Sequence, residues 1–120
     1  MTWPLGAGGL VSTVDDLAQW HDAIMAGKLL SEQAWKRVFE VDDSEIARYG
    51  YGWFVGPTMG RRSYWHTGGI EGFQSVAIHF PDENLYIAVL LNGTGATFSA
   101  TYVSQTALEA YWKATYGACL

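Results

Sequence analysis

Cysteine, basic residues and long apolar runs are all scarce in this 120-residue sequence. A single cysteine, Cys119, excludes an internal disulfide framework and a cysteine-ligated zinc site. Seven Lys and Arg stand against twelve Asp and Glu, a net charge of −5, so nucleic acid and anionic lipid are not expected partners. No stretch approaches the roughly 18 apolar residues of a membrane span, and residues 1–4 lack the pattern of a signal peptide. Localisation stays open.

What the sequence does contain is apolar and aromatic material. Hydrophobic residues make up 49% and aromatic residues 15% of the chain, which predicts a packed core and excludes disorder. The length predicts one domain over residues 1–120. Charged residues are only 16%, against about 25% in typical soluble domains. This deficit indicates that part of the surface is covered by something else.

Helical patterns occupy both ends of the chain. Thr13-x-x-Asp16, or alternatively Ser12-x-x-Asp15, predicts the start of a first helix that Gly27 ends. Ser31 is expected to cap a shorter second helix that carries Trp35, Val38 and Phe39 on one side. From about position 98, apolar residues at helical spacing predict a long final helix.

The middle of the chain has strand periodicity. Alternating Tyr51, Trp53 and Val55 predict a strand, residues 56–60 a turn, and residues 62–67 the returning strand. Residues 73–80 predict the next strand, and the apolar run 85–91 predicts a central strand buried on both faces. The expected fold class is α+β: an antiparallel sheet of three to four strands, with two N-terminal helices and one long C-terminal helix packed on it. One helix would leave the other face of this sheet apolar and bare.

Several familiar chemical motifs are missing. No serine lies in a Gly-x-Ser-x-Gly elbow, and none has a lysine three positions later. His21, His66 and His79 are too scattered for a helical metal motif, and the glycines of residues 6–11 follow no strand and lack the third glycine of a dinucleotide fingerprint. We therefore expect neither a metal nor a cofactor.

The segment with chemical potential is His66-Thr67-Gly68-Gly69. A histidine and a threonine are expected to finish a strand, and two glycines then let another molecule approach the backbone closely. Backbone N–H groups in such a place can stabilise an oxyanion, while the hydroxyl and the imidazole hold a carboxylate or relay a proton. The alternative interpretation is structural: a strand end, a glycine turn and a half-buried, hydrogen-bonded histidine.

Five short patterns occur in a fixed order along the chain. They are Gly8-Gly9-Leu10-Val11-Ser12-Thr13-x-Asp15-Asp16-Leu17, Leu29-Leu30-Ser31, Tyr49-Gly50-x-Gly52-Trp53, His66-Thr67-Gly68-Gly69-x-x-Gly72-Phe73, and Phe80-Pro81 with Leu90-Leu91-Asn92. Together they resemble the C-terminal part of the serine β-lactamase-like superfamily, which holds class C β-lactamases, DD-carboxypeptidases, D-aminopeptidases and related esterases.

The resemblance implies roles for four residues. His66-Thr67-Gly68 matches the family's third motif, Lys/His-Thr/Ser-Gly. By that match His66 supports proton transfer and the substrate's anionic end, Thr67 and Gly68 bind substrate, and the N–H of Gly69 is one of two oxyanion donors. Histidine in place of lysine resembles the peptidase and esterase branches more than true β-lactamases.

The family's first two motifs, Ser-x-x-Lys and Tyr-x-Asn/Ser, have no usable match; Tyr102-Val103-Ser104 falls inside the predicted last helix. The sequence therefore predicts a C-terminal fragment of a serine hydrolase acting on amide or ester bonds, inactive alone, with a small-molecule or peptide acyl substrate in the parent protein. A non-catalytic peptide- or carboxylate-binding or assembly module is the alternative. Two chains forming a composite site is a third reading, which needs Ser-x-x-Lys from elsewhere. Self-association through an exposed sheet face or edge is expected in each case.

Overall fold

Four antiparallel strands in the order β1-β2-β3-β4 form the centre of the molecule. The computed structural model describes residues 5–41, 48–94 and 98–117. Its helices and strands are α1 (Leu5–Gly8), α2 (Val14–Met25), α3 (Glu32–Val38), β1 (Phe54–Thr58), β2 (Arg61–Ile70), β3 (Phe73–Phe80), β4 (Leu85–Leu91) and α4 (Ala100–Tyr116). The α+β class, the antiparallel sheet and the long last helix are confirmed. Positions 42–47 and Cys119 lie outside these ranges.

The helix boundaries follow from local capping. Thr13, rather than Ser12, caps α2: its hydroxyl accepts the N–H of Asp16 at 3.1 Å. Ser31 caps α3 in the same way, by accepting from Ala34 at 3.2 Å. These bonds satisfy N–H groups that a helix start leaves free. The expected two N-terminal helices are present, and the single turn α1 precedes them within the glycine-rich start.

The hairpins are tighter than the sequence predicts. The turn expected over 56–60 is only Met59-Gly60, both at positive φ, so β1 runs on through Pro57 to Thr58. Two residues of that conformation form the turn that matches strand twist best. The second correction concerns β2, which does not end at Thr67. It continues through Gly68 and Gly69 to Ile70 and turns at Glu71-Gly72.

One face of the sheet packs on α4 and forms the core. Val76, Ile78 and Phe80 of β3 contact Ala100, Leu108 and Trp112 of α4, all of them buried. The indole of Trp112 also lies 4.3 Å from the guanidinium carbon of Arg61. This apolar layer is the main source of stability, because each large side chain removed from water contributes about 1.5–3 kcal/mol.

The sequence suggested that the opposite face of the sheet would be bare. In the structure this face is covered. Helix α2 places His21 against His79 of β3 and Tyr86 of β4, with ring centroids 4.7 and 4.6 Å apart. Phe39, after α3, stacks on Tyr64 of β2 at 3.7 Å. Aromatic and imidazole rings therefore take part in covering this face. The expectation of a central β4 is also wrong within the described sheet, where β4 is an edge strand.

Candidate functional site

The candidate site is the stretch of β2 that β1 leaves unpaired. β1 pairs with β2 only from Thr58↔Arg61 to Phe54↔Trp65. Beyond Trp65, the residues from His66 to Ile70 keep β3 on one side and have no strand on the other within the described part of the chain. An unpaired strand offers a row of backbone donors and acceptors to a ligand.

The hairpin geometry fixes which backbone groups face this open edge. A two-residue turn makes Thr58↔Arg61 a hydrogen-bonded pair, so odd-numbered residues of β2 point their N–H and C=O groups toward the β1 side. Pro57, which has no N–H, falls opposite Arg62, a position that needs none. The N–H of Val55 accordingly donates away from β2, to the carbonyl of Arg48 at 2.8 Å. Thr67 and Gly69 therefore present their backbone groups to the open edge.

Gly68 and Gly69 are glycines for different reasons. Gly68 lies opposite Ser75 of β3, and a Cβ built on Gly68 would overlap the Ser75 hydroxyl. A Cβ built on Gly69 would meet no atom within 4 Å, and Gly69 has no positive φ. Packing of the described residues explains the first glycine and not the second. The free space leaves the Gly69 backbone open to close approach by another molecule.

His66 lies at this edge and is hydrogen-bonded at both ring nitrogens. Its Nδ1 is 2.6 Å from the carbonyl oxygen of Thr67, and its Nε2 is 2.8 Å from the hydroxyl of Tyr49. The Thr67 carbonyl faces the open edge, so the imidazole lies along that edge and occupies one of its acceptors. His66 is exposed, in contrast to the half-buried residue of the structural interpretation.

The segment around Tyr49 is held in place by its neighbours. Tyr49 forms an isolated antiparallel bridge with Phe54, and their rings meet edge to face at 4.6 Å. Gly50 packs so closely on the end of α3 that a Cβ there would overlap the carbonyl oxygen of Val38. The same carbonyl accepts the N–H of Tyr51 at 2.9 Å. Sequence reasoning gave Tyr49 no role, although its pattern Tyr-Gly-x-Gly-Trp was among those noted.

Three of the four predicted site residues lie together at the open edge. The side chains of two of them, His66 and Thr67, point to opposite faces of the sheet. The backbone of Thr67 and Gly69 and the imidazole of His66 share the open edge. The side chains of His66 and Thr67, however, leave the strand on opposite faces, because neighbours in a strand alternate. Gly68 turns its backbone toward β3. The site is thus an edge of the sheet and not a pocket on one of its faces.

A second cluster of titratable groups lies under α2. His21 and His79 are 7% and 5% exposed, and Nδ1 of His79 is buried with no hydrogen-bond partner among the residues that the structure describes. Burial, then the charges of His21 and Arg62, lowers the pKa of His79 to about 4; burial likewise lowers the pKa of His21, opposed by Asp22. Among residues 5–41, 48–94 and 98–117, no three His, Cys, Asp or Glu side chains come together as a metal site would require.

The discounted Tyr102-Val103-Ser104 is on α4, on the other side of the sheet from His79. Ser104 is buried, and its hydroxyl donates to the carbonyl of Thr101 at 2.8 Å. It is a core residue of α4. No helix in the described ranges has the length and apolar character needed to cross a membrane.

The protein is a layered α+β fold, and a histidine-threonine-glycine strand lies at the open edge of its sheet. Comparison with known proteins identifies the family that has this fold. The family model described as Beta-lactamase matches residues 1–111. The chain therefore belongs to the β-lactamase family.

Solved structures show the same fold. An octameric penicillin-binding protein homologue from Pyrococcus abyssi superposes with a TM-score of 0.69 at 22% identity, over 83% of this chain and 24% of that one. A penicillin-binding protein from Bacillus halodurans gives a TM-score of 0.66 at 24% identity, over 82% and 30%. This chain thus spans less than a third of the length of either. No curated protein sequence matches it.

Proposed function

We propose that this chain forms one wall of the acyl-binding cleft of a serine hydrolase that acts on amide or ester bonds. Gly69 carries the proposal: its N–H faces an open edge, and neither packing nor backbone strain in the described structure requires a glycine there. Membership of the β-lactamase family supports the reaction class.

In this proposal the substrate lies along the edge of β2 with its reacting carbonyl at Gly69. The Gly69 N–H is then one of two donors to the oxyanion that forms when a nucleophile attacks. Loss of one such donor costs about a hundredfold to a thousandfold in rate. Thr67 binds the substrate beside it, while the backbone of Gly68 keeps β2 paired with β3 instead of contacting the substrate, and His66 takes part in moving the proton.

The nucleophile has to come from outside these 120 residues, because the sequence contains no Ser-x-x-Lys. We expect the isolated chain to show no turnover of a chromogenic ester or a cephalosporin. Labelling of this chain by a fluorophosphonate, lost on substitution of a single serine, would contradict this.

Binding of N-acetyl-D-alanyl-D-alanine, a small acyl peptide, tests the proposal directly. In the ¹⁵N-labelled chain, the Gly69 amide resonance should move on titration with the peptide. Gly69→Pro removes this N–H and should abolish binding. No bond to β3 is lost, because the Gly69 N–H faces the open edge, where proline is tolerated. Gly69→Ala keeps the N–H and should keep the fold. A Gly69 amide that does not respond to saturating peptide refutes the proposed site.

A non-catalytic binding module uses the same edge and is favoured by the missing nucleophile. The open reading frame around this segment distinguishes the two functions. If the open reading frame around this segment encodes Ser-x-x-Lys, the edge serves catalysis. If it encodes none, while the chain binds the peptide and Thr67→Ala weakens binding, the edge serves recognition alone.

We further propose self-association through the outer edge of β4. Its residues 85–91 contain no charge and no proline, the features that usually protect an edge strand. The odd-numbered residues of β4 direct their backbone N–H and C=O groups toward β3. The N–H groups of Tyr86, Ala88 and Leu90 therefore face away from the sheet.

Sedimentation at micromolar concentration should detect a dimer that Ala88→Pro dissociates without unfolding the chain, since the lost N–H makes no bond to β3. Val89→Pro, one residue on, removes an N–H that faces β3 and should unfold the chain. A monomeric native chain refutes this second proposal.

A further inference from the structure

The hydrogen bonds of His66 determine where its proton lies. A carbonyl oxygen can only accept, so Nδ1 of His66 carries a hydrogen and donates it to Thr67 O at 2.6 Å. In the neutral imidazole the other nitrogen, Nε2, is then an acceptor. Tyr49 lies 2.8 Å from Nε2, and its hydroxyl must therefore be the donor.

We infer that Tyr49 both orients His66 and contacts the ligand: its hydroxyl donates to Nε2 in the tautomer that the Thr67 carbonyl sets, and the hydroxyl, not the ring, is then the group that meets an acyl substrate. This inference rests on the proposed function for its substrate, though not for its tautomer. Both imidazole nitrogens are already bonded within the protein, so a ligand at the edge finds no free ring N–H. Tyr49 Oη keeps its lone pairs and accepts from a ligand N–H or O–H.

The pair can carry a proton in balanced steps. A ligand X–H bond breaks and its proton forms a new O–H bond at Tyr49. The original Tyr49 proton passes at the same time to Nε2, leaving Tyr49 neutral and His66 an imidazolium, while X keeps the electron pair of the broken bond as the anion X⁻. The reverse sequence returns a proton to a leaving group, so His66 acts as base and acid through the tyrosine.

The packing around Tyr49 supports this role. Its ring packs on Phe54 at 4.6 Å and its backbone bridges to Phe54, while Gly50 fits against the carbonyl of Val38 with no room for a side chain. Such support fixes the hydroxyl without help from the ligand. Tyr51, two positions on, is 70% exposed and provides a matched control.

Ring-nitrogen resonances of the ¹⁵N-labelled chain test the tautomer, with His66 assigned through His66→Gln. At mildly alkaline pH the native His66 should have a protonated Nδ1 and an unprotonated Nε2. Tyr49→Phe preserves the ring contact with Phe54 and should keep the Nδ1–H tautomer but shift the Nε2 resonance, because Nε2 loses its hydrogen-bond donor. Tyr51→Phe should leave the Nε2 resonance unchanged. A native Nε2–H form, or an Nε2 resonance indifferent to Tyr49→Phe, overturns the inference.

Peptide binding separates this inference from the proposed function. Tyr49→Phe should raise the dissociation constant for N-acetyl-D-alanyl-D-alanine by roughly three- to tenfold, the effect of one neutral hydrogen bond. Failure of the native chain to bind the peptide, with the Nε2 response to Tyr49→Phe intact, refutes the binding function and leaves the positioning role standing. Binding that Tyr49→Phe does not weaken refutes the contact between Tyr49 and the ligand.

Discussion

Acidification should destabilise this protein through the histidine cluster beneath α2. Among the described residues, the groups that face His79 are His21 on α2, Tyr64 and Arg62 on β2, and Tyr86 on β4. None of these is a carboxylate that could stabilise an imidazolium, and Asp22 raises the pKa of His21 only. Burial therefore holds the pKa of His79 at about 4, below its ordinary value of 6.5.

The sign of the effect follows from proton counting. Between pH 6.5 and pH 4 the unfolded chain binds a proton at His79 and the folded chain does not. The contribution of His79 is therefore complete above pH 6.5 and is lost as the pH falls toward 4. Proton linkage gives a loss of about 2 kcal/mol in the free energy of unfolding between pH 7.5 and pH 5. The lowered pKa of His21 adds to it in the same direction.

Urea unfolding at the two pH values, followed by tryptophan fluorescence, measures this difference. His79→Phe should reduce the pH dependence by about 2 kcal/mol, because the titrating group is gone. Ile78→Val, on the same strand, should cost about 1 kcal/mol equally at both pH values. A native chain equally stable at pH 7.5 and pH 5, or a His79→Phe variant with the full native dependence, would show that the burial argument is mistaken.

Three further substitutions, the first with Ser12→Ala as its control, test capping and packing through the urea midpoint near neutral pH. Thr13→Ala removes the cap of α2 and should cost about 1 kcal/mol, whereas Ser12→Ala should cost nothing measurable. Leu108→Ala empties a fully buried position between α4 and the sheet and should cost about 2–5 kcal/mol. Gly50→Ala forces a methyl group onto the carbonyl of Val38 and should cost about 1–3 kcal/mol; an unchanged midpoint would mean that this contact is not tight.

Local patterns predicted the elements well because each signal acts over a few residues. The caps at Thr13 and Ser31 and the strands 73–80 and 85–91 lie where the sequence placed them. The turn over 56–60 was predicted too long because Pro57 and Gly56 are common in turns. At Pro57 the strand tolerates proline because its missing N–H would face away from β2.

Long-range contacts explain what the sequence did not predict. An apolar run such as 85–91 has the same pattern in a central strand and in an edge strand, and only the sheet order distinguishes the two. The hydrogen bond of Tyr49 with His66 joins residues 17 positions apart. The contact between His21 and His79 joins two different layers. Neither pair has a local spacing that would reveal it.

The two glycines after Thr67 show most clearly what the residue type alone does not predict, namely which backbone N–H faces a ligand. In the sequence they are equivalent, and both were expected to open the backbone to a ligand. In the strand register Gly68 lies opposite Ser75, and the Ser75 hydroxyl fills the space that a side chain on Gly68 would need. The backbone groups of Gly68 point toward β3. The same register turns Gly69 toward the open edge, where a Cβ built on it would meet no atom of the described residues within 4 Å. Since strand neighbours alternate in direction, only one of two adjacent glycines can present its N–H to a ligand at the edge, and the hairpin at Met59-Gly60 decides that it is Gly69.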